Sequence, residues 1–204
     1  MKLNVPFYKQ TTNLNCGPTA LKMALLYFGK NYSIKLLEKK TEIKKGKGIF
    51  TIQIAAAASK LGYKTIFFSK SVKPNPDNFK MEFYKKYSED IKRINEAVKK
   101  AKLLGVEIHE KKISLGKLLE YVTKESIPIV LLDWNIIKKE KDYQGHFVPV
   151  VGYDSKDIYI HNHGLNDPQK FMKIPRKTFD KARKAKGTDE DIAIIFKNPK
   201  QKSL

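Results

Sequence analysis

Apolar residues change their spacing part-way along this chain, and that change constrains the fold more than any other feature. In the first half they recur at helical intervals. Ala20, Leu21, Met23, Ala24, Leu25 and Phe28 cover a wide face of residues 16–28, which predicts a buried helix with Gly29 just beyond its C-terminus. A second helix is expected from Ser33, as N-cap, to Lys40, and a third from Thr51 through Leu61, closed by Gly62. Lys64 to Ser69 reads as a strand. From residue 127 strands dominate, at 127–134, 147–153, 158–162 and 192–196. Helices followed by strands argue α+β, with N-terminal helices packed on a C-terminal antiparallel sheet.

The organisation expected is one domain over 1–197 and a polar tail over 198–204. A lysine-rich segment at about 72–112 follows the breaker Pro74-Asn75-Pro76-Asp77. Within it Phe79 to Leu104 reads as one or two outer helices, left open as an insertion or a partner helix, and Ser114 to Thr123 as a further short helix.

The formal net charge is +20, and the positive charge is almost wholly lysine, the arginines being Arg93, Arg176 and Arg183. Arginine is the residue suited to a bidentate grip on phosphate and base edges, so this pattern points to a solvated surface more than to nucleic acid. A lysine-driven polyanion binder stays as a rival reading. No apolar run is long enough to span a membrane, the N-terminal residues lack a signal-peptide apolar region, and one cysteine forms no internal disulfide. A cytoplasmic location is the expectation. No cofactor and no metal site is expected: His161 and His163 lack the further ligands that a tetrahedral set requires.

Cys16 stands at the predicted start of the first helix, where unpaired N–H groups and the helix dipole favour thiolate over thiol. A nucleophilic thiol needs a base, and the base needs an orienting group. His146 opens the strand that runs through Phe147 to Tyr153. The turn Asp154 to Asp157 makes the two flanking strands a hairpin. On the second strand Asn162 shares a face with Ile158 and Ile160, opposite Tyr159, His161 and His163. With an odd-length loop, Val148 lies opposite Asn162 and His146 is the diagonal neighbour, about 7–8 Å away. A regular four-residue loop turns Asn162 to the other face, so two registers remain open. Gln10 can set its amide N–H beside the backbone N–H of Cys16, and together they form an oxyanion hole.

Val5-Pro-Phe-Tyr-Lys-Gln10, Cys16-Gly-Pro-Thr-Ala-Leu21, Gly145-His146-Phe-Val-Pro-Val-Val-Gly152-Tyr153-Asp154 and Tyr159-Ile-His-Asn162-His-Gly164 resemble the motifs of the bacteriocin-processing, double-glycine leader peptidases of the papain-like superfamily. The resemblance covers mainly residues 5–29 and 127–165. It implies a papain-like cysteine peptidase fold and a thiol hydrolase with a peptide or protein substrate. The roles implied are Cys16 as nucleophile, His146 as base, Asn162 as orienting group and Gln10 as oxyanion donor. A preference for Gly-Gly bonds is likewise only implied. Asn162 departs from the aspartate usual in that family, although papain uses asparagine. The same residues serve acyl transfer equally, and a non-catalytic peptide-binding module on this fold is the alternative from another class.

Overall fold

The computed structural model describes residues 1–88 and 91–198. Of the polar tail expected over 198–204, residues 199–204 lie outside the described residues. Three helices lead the chain. Helix α1 (Cys16–Tyr27) is buried from Gly17 to Leu25 and packs on strand β4 (Gly145–Tyr153). Helix α2 (Ile34–Thr41) starts where expected, the Ser33 hydroxyl accepting the Leu36 N–H at 3.2 Å. Helix α3 (Thr51–Lys60) carries four successive alanines, all buried, which let α1, α2 and α5 (Ile91–Leu103) approach it closely.

Behind the helices stands a seven-stranded sheet in the order β2-β1-β7-β3-β4-β5-β6. The remaining strands are β1 (Thr65–Ser69), β2 (Glu107–Glu110), β3 (Ser126–Asp133), β5 (Asp157–Asn162), β6 (Gln169–Pro175) and β7 (Ile192–Phe196). The α+β class stands, with one correction. The sheet is not wholly antiparallel, since β1 and β2 pair parallel. The lysine-rich segment supplies the crossover that two parallel strands require, built from α4 (Glu82–Tyr87) and α5. The short helix expected at 114–123 is α6 (Leu115–Leu119), capped by Ser114. Strands β2 and β6 and helices α7 (Trp134–Lys138) and α8 (Arg176–Arg183) have no counterpart in the sequence reading.

The hairpin of β4 and β5 settles the open register. Tyr153 pairs with Ile158 and Gly152 with Tyr159, the even register of a four-residue connection. That register alone would turn Asn162 away. A bulge between Val150 and Gly152 absorbs one residue, after which Val150 pairs with Ile160. Carried two residues further, this register sets Asn162 level with Val148. The bulge is held from outside by the N-terminal residues. Leu3 N–H donates to Val151 O and Tyr153 N–H to Met1 O, each at 2.8 Å.

Gly152 is required at this crossing. A Cβ there would sit 2.6 Å from the Met1 carbonyl oxygen and 3.0 Å from Lys2 Cα, both backbone atoms. Gly152→Ala is expected to cost about 1–3 kcal/mol of stability, read as a lower urea midpoint with an unchanged slope.

Candidate active site

Cys16, His146, Asn162 and Gln10 all line one cavity of about 630 Å³. Each comes from a different element. Cys16 is the first residue of α1, His146 the second of β4, and Asn162 the last of β5. Gln10 lies in the loop before α1, its backbone N–H donating to His163 O at 3.0 Å. That loop is shaped by Asn15, a fully buried residue whose Oδ1 accepts the N–H groups of Thr11 and Thr12 and whose Nδ2 donates to Glu38.

The Cys16 sulfur lies against β4, where the backbone N–H of Phe147 points at it. The N–H groups of Gly17 and of Cys16 itself also pull the thiol pKa down, as a helix N-terminus should. Burial outweighs all three, and the thiol is pushed above its ordinary value. The expectation of a resting thiolate is therefore corrected: desolvation of the anion exceeds what the helix end returns.

His146 is shifted the other way, well below the usual histidine value. Burial is the main cause and the neighbouring His163 adds to it, while a hydrogen bond with the Asn162 side chain works in the opposite direction. Trp134 meets the imidazole edge-on, with ring centroids 4.9 Å apart. Nε2 of His146 is buried and makes no hydrogen bond among the described residues. Burial thus favours the neutral form of both the Cys16 thiol and the His146 imidazole. Asn162 is itself fixed, its Nδ2 donating to Asp167 O and its Oδ1 accepting the Gly164 N–H at 3.2 Å. Gln10 gives one N–H to Thr12 O at 3.0 Å, and its Oε1 is buried without a partner among the described residues.

The sequence reading missed His163. Its ring centroid is 5.0 Å from that of His146, and its Nε2 is 2.9 Å from the Cys16 carbonyl. Its Nδ1 lies 3.1 Å from His161 O. A neutral imidazole has one N–H, so it satisfies one of these two carbonyls at a time. Burial nevertheless holds it neutral, at about 4. His161 is committed elsewhere: its Nδ1 accepts the Phe171 N–H at 3.1 Å, and its Nε2 donates to Val5 O at 2.9 Å. Among the described residues no group of three or more His, Cys, Asp or Glu is placed to hold a metal ion.

The roof and far wall of the cavity were also unread. Phe79, Phe83, Tyr84 and Tyr87 descend from the crossover. Asp189 and Asp191 precede β7, in a turn where Asp189 and Glu190 are both left-handed (φ 49° and 55°). No sequence motif marks these residues; only the position of β7 at the centre of the sheet brings them to the site.

The family model described as guanylylate cyclase matches residues 5–195. The chain belongs to that family. Guanylyl cyclase 1 of Arabidopsis thaliana is 26% identical to it over 213 residues, spanning 95% of this chain and 76% of that protein. Solved structures show where the fold recurs. One, from Bacillus anthracis and described as a C39-like peptidase, superposes with a TM-score of 0.60 at 17% identity, over 97% of this chain and 98% of the other. The peptidase domain of Streptococcus ComA, a bi-functional ABC transporter, gives 0.53 at 16% identity, over 96% and 100%. A double glycine motif protease from an AMS/PCAT transporter, solved with its leader peptide, gives 0.55 at 19%, over 96% and 93%. The fold is thus that of the peptidases the motifs resemble, while the sequence family carries another name. No helix among the described residues is long and apolar enough to cross a membrane.

The depressed pKa of His163 has a sign for stability. The unfolded ring titrates near 6.5 and the folded one at about 4, so the unfolded state binds more protons between those values and stability is lost on acidification. The full effect is about 3 kcal/mol. Asp191 is raised to about 7 and works in the opposite sense over an overlapping range. The difference between wild type and His163→Gln isolates the histidine: denaturant midpoints at pH 7 and pH 4.5 should show the variant losing less on acidification.

Proposed function

We propose that this chain is a thiol hydrolase that cleaves peptide bonds at Cys16. The observation that carries the reading is the convergence of Cys16, His146, Asn162 and Gln10 on one cavity, with His146 Nε2 left free. A pair biased toward its neutral form suits concerted proton transfer. As the sulfur attacks the carbonyl carbon, His146 Nε2 takes the thiol proton, and Asn162 holds the ring against rotation. The oxyanion accepts hydrogen bonds from the Cys16 backbone N–H and the second N–H of Gln10. The proton then passes to the leaving amine. Water, deprotonated by His146, cleaves the thioester and restores the thiol. A peptide substrate agrees with the structural neighbour solved with a leader peptide.

A second reading follows from the family match: cyclisation of a guanine nucleotide, with attack of a ribose hydroxyl on the α-phosphorus and loss of pyrophosphate. One comparison separates the two. Wild type and Cys16→Ala are incubated with a proteome-derived peptide pool and, in parallel, with GTP and a divalent cation. New peptide termini should appear with wild type only, and kcat/KM on the best peptide should fall about 10⁴-fold or more in Cys16→Ala. Gln10→Ala should cost about 100-fold or more in kcat. Cyclic GMP formation that survives Cys16→Ala, with no peptide cleaved, would overturn the hydrolase reading.

The raised thiol pKa makes a further prediction. Without substrate, iodoacetamide should alkylate Cys16 at pH 7 more slowly than it alkylates free cysteine. Faster alkylation would mean a stored thiolate.

A further inference from the structure

One row of residues crosses the sheet beneath the cavity. Leu131 on β3 pairs with Phe147 on β4, whose N–H meets the Cys16 sulfur. On its other side Leu131 donates its N–H to Asp191 O at 3.2 Å. Two inter-strand spacings, roughly 10 Å, therefore separate Asp191 from the strand position under the nucleophile. Phe68 pairs with Ile192, so the next step of that register brings Ser69 level with Asp191.

This end of the cavity holds buried polar groups that the protein satisfies only in part. Asp191 Oδ1, Asn78 Oδ1 and Thr51 Oγ1 are buried and make no well-formed hydrogen bond among the described residues, although the Ser69 and Thr51 hydroxyls lie near enough to Asp191 to pull its pKa down. Asn78 is 2% exposed and Thr51 fully buried, and all three residues line the cavity. The Asn78 amide is fixed the right way round, because its Nδ2 donates to Asp189 Oδ2 at 2.7 Å. No lysine or arginine among the described residues is in direct ion-pair contact with Asp189 or Asp191; Lys70 acts on Asp189 from further off.

We propose that Asp191, Asn78 and Thr51 form a subsite for a cationic side chain of the substrate, a lysine ammonium or an arginine guanidinium, beside the bond that Cys16 attacks. The inference rests on the peptide reading above. Convergent acceptors with a carboxylate among them call for a ligand that brings several N–H donors and a positive charge together. Burial, as the largest cause, holds the Asp191 carboxyl at about 7, the condition of a carboxylate without a cation beside it. Asp189, already bonded to Asn78, adds negative charge behind the subsite. The aliphatic stem of the cationic side chain would lie along Leu131 and Phe67.

The test separates binding from turnover. Binding of Nα-acetyl-lysine amide, Nα-acetyl-arginine amide and the neutral Nα-acetyl-norleucine amide is measured by ligand-observed NMR on wild type, Asp191→Asn and Asn78→Leu, each checked for folding by circular dichroism. At least one cationic probe should bind wild type about ten-fold more tightly than the norleucine probe. Asp191→Asn should abolish that preference and Asn78→Leu should weaken it, with norleucine binding unchanged. If Asp191→Asn does not fold, Asn78→Leu decides. Equal binding of all three probes, or a preference that survives in the folded variants, would overturn the subsite. So would guanosine binding that depends on Asp191 while the cations do not bind. Asp191-dependent cation binding with no peptide cleavage would keep the subsite and remove the peptidase reading. Cleavage indifferent to lysine and arginine, and unchanged by Asp191→Asn, would do the reverse.

Discussion

The bulge between Val150 and Gly152 sets the facing of every side chain beyond it on β5. A sheet alternates sides with each residue, so one extra residue in β4 exchanges the two faces of its partner strand. Without it, Asn162 would leave the His146 side, and the His163 ring would no longer reach the Cys16 carbonyl. The bulge is clamped from the edge by Met1 and Leu3, so residues far from the cavity in sequence fix its chemistry. A glycine at 152 is the geometric condition for that clamp.

Electrostatics at the site follow from dryness more than from the helix end. Three N–H groups converge on the Cys16 sulfur, and desolvation still prevails. The same dryness lowers His146 and His163 and raises Asp191. Cys16, His146, His163 and Asp191 are thus each biased toward the neutral form. A reacting pair in such a place gains from proton transfer during the chemical step, since the protein does not hold the charges apart beforehand.

Much of this was legible in the residues. The apolar breadth of residues 16–28 announced a buried helix, Ser33 announced an N-cap, and the strands of the second half matched their apolar runs. The residue types at 10, 16, 146 and 162 were read from motif order, and the fold joins them. The rest depends on distant neighbours. β2 and β6 are half-exposed edge strands whose polar sequences carry no alternation to read. The crossover looked like an appendage because its partner strand was invisible. A thiol's pKa depends on how much water surrounds it, and no local pattern records that. The peptidase resemblance lay in the motifs and the fold, while membership in the guanylylate cyclase family is carried by similarity across residues 5–195.

The position of β7 has a kinetic consequence. It is the last strand in sequence, yet it lies between β1 and β3 near the middle of the sheet. A chain without residues 192–196 has two separate half-sheets, each with a raw inner edge. Joining them requires Thr65–Ser69 to find a strand more than 120 residues away, a closure that topology makes slow. Assembly of the acidic wall and closure of the sheet are therefore coupled, because both need β7 between β1 and β3, and β7 is what keeps those two edges paired.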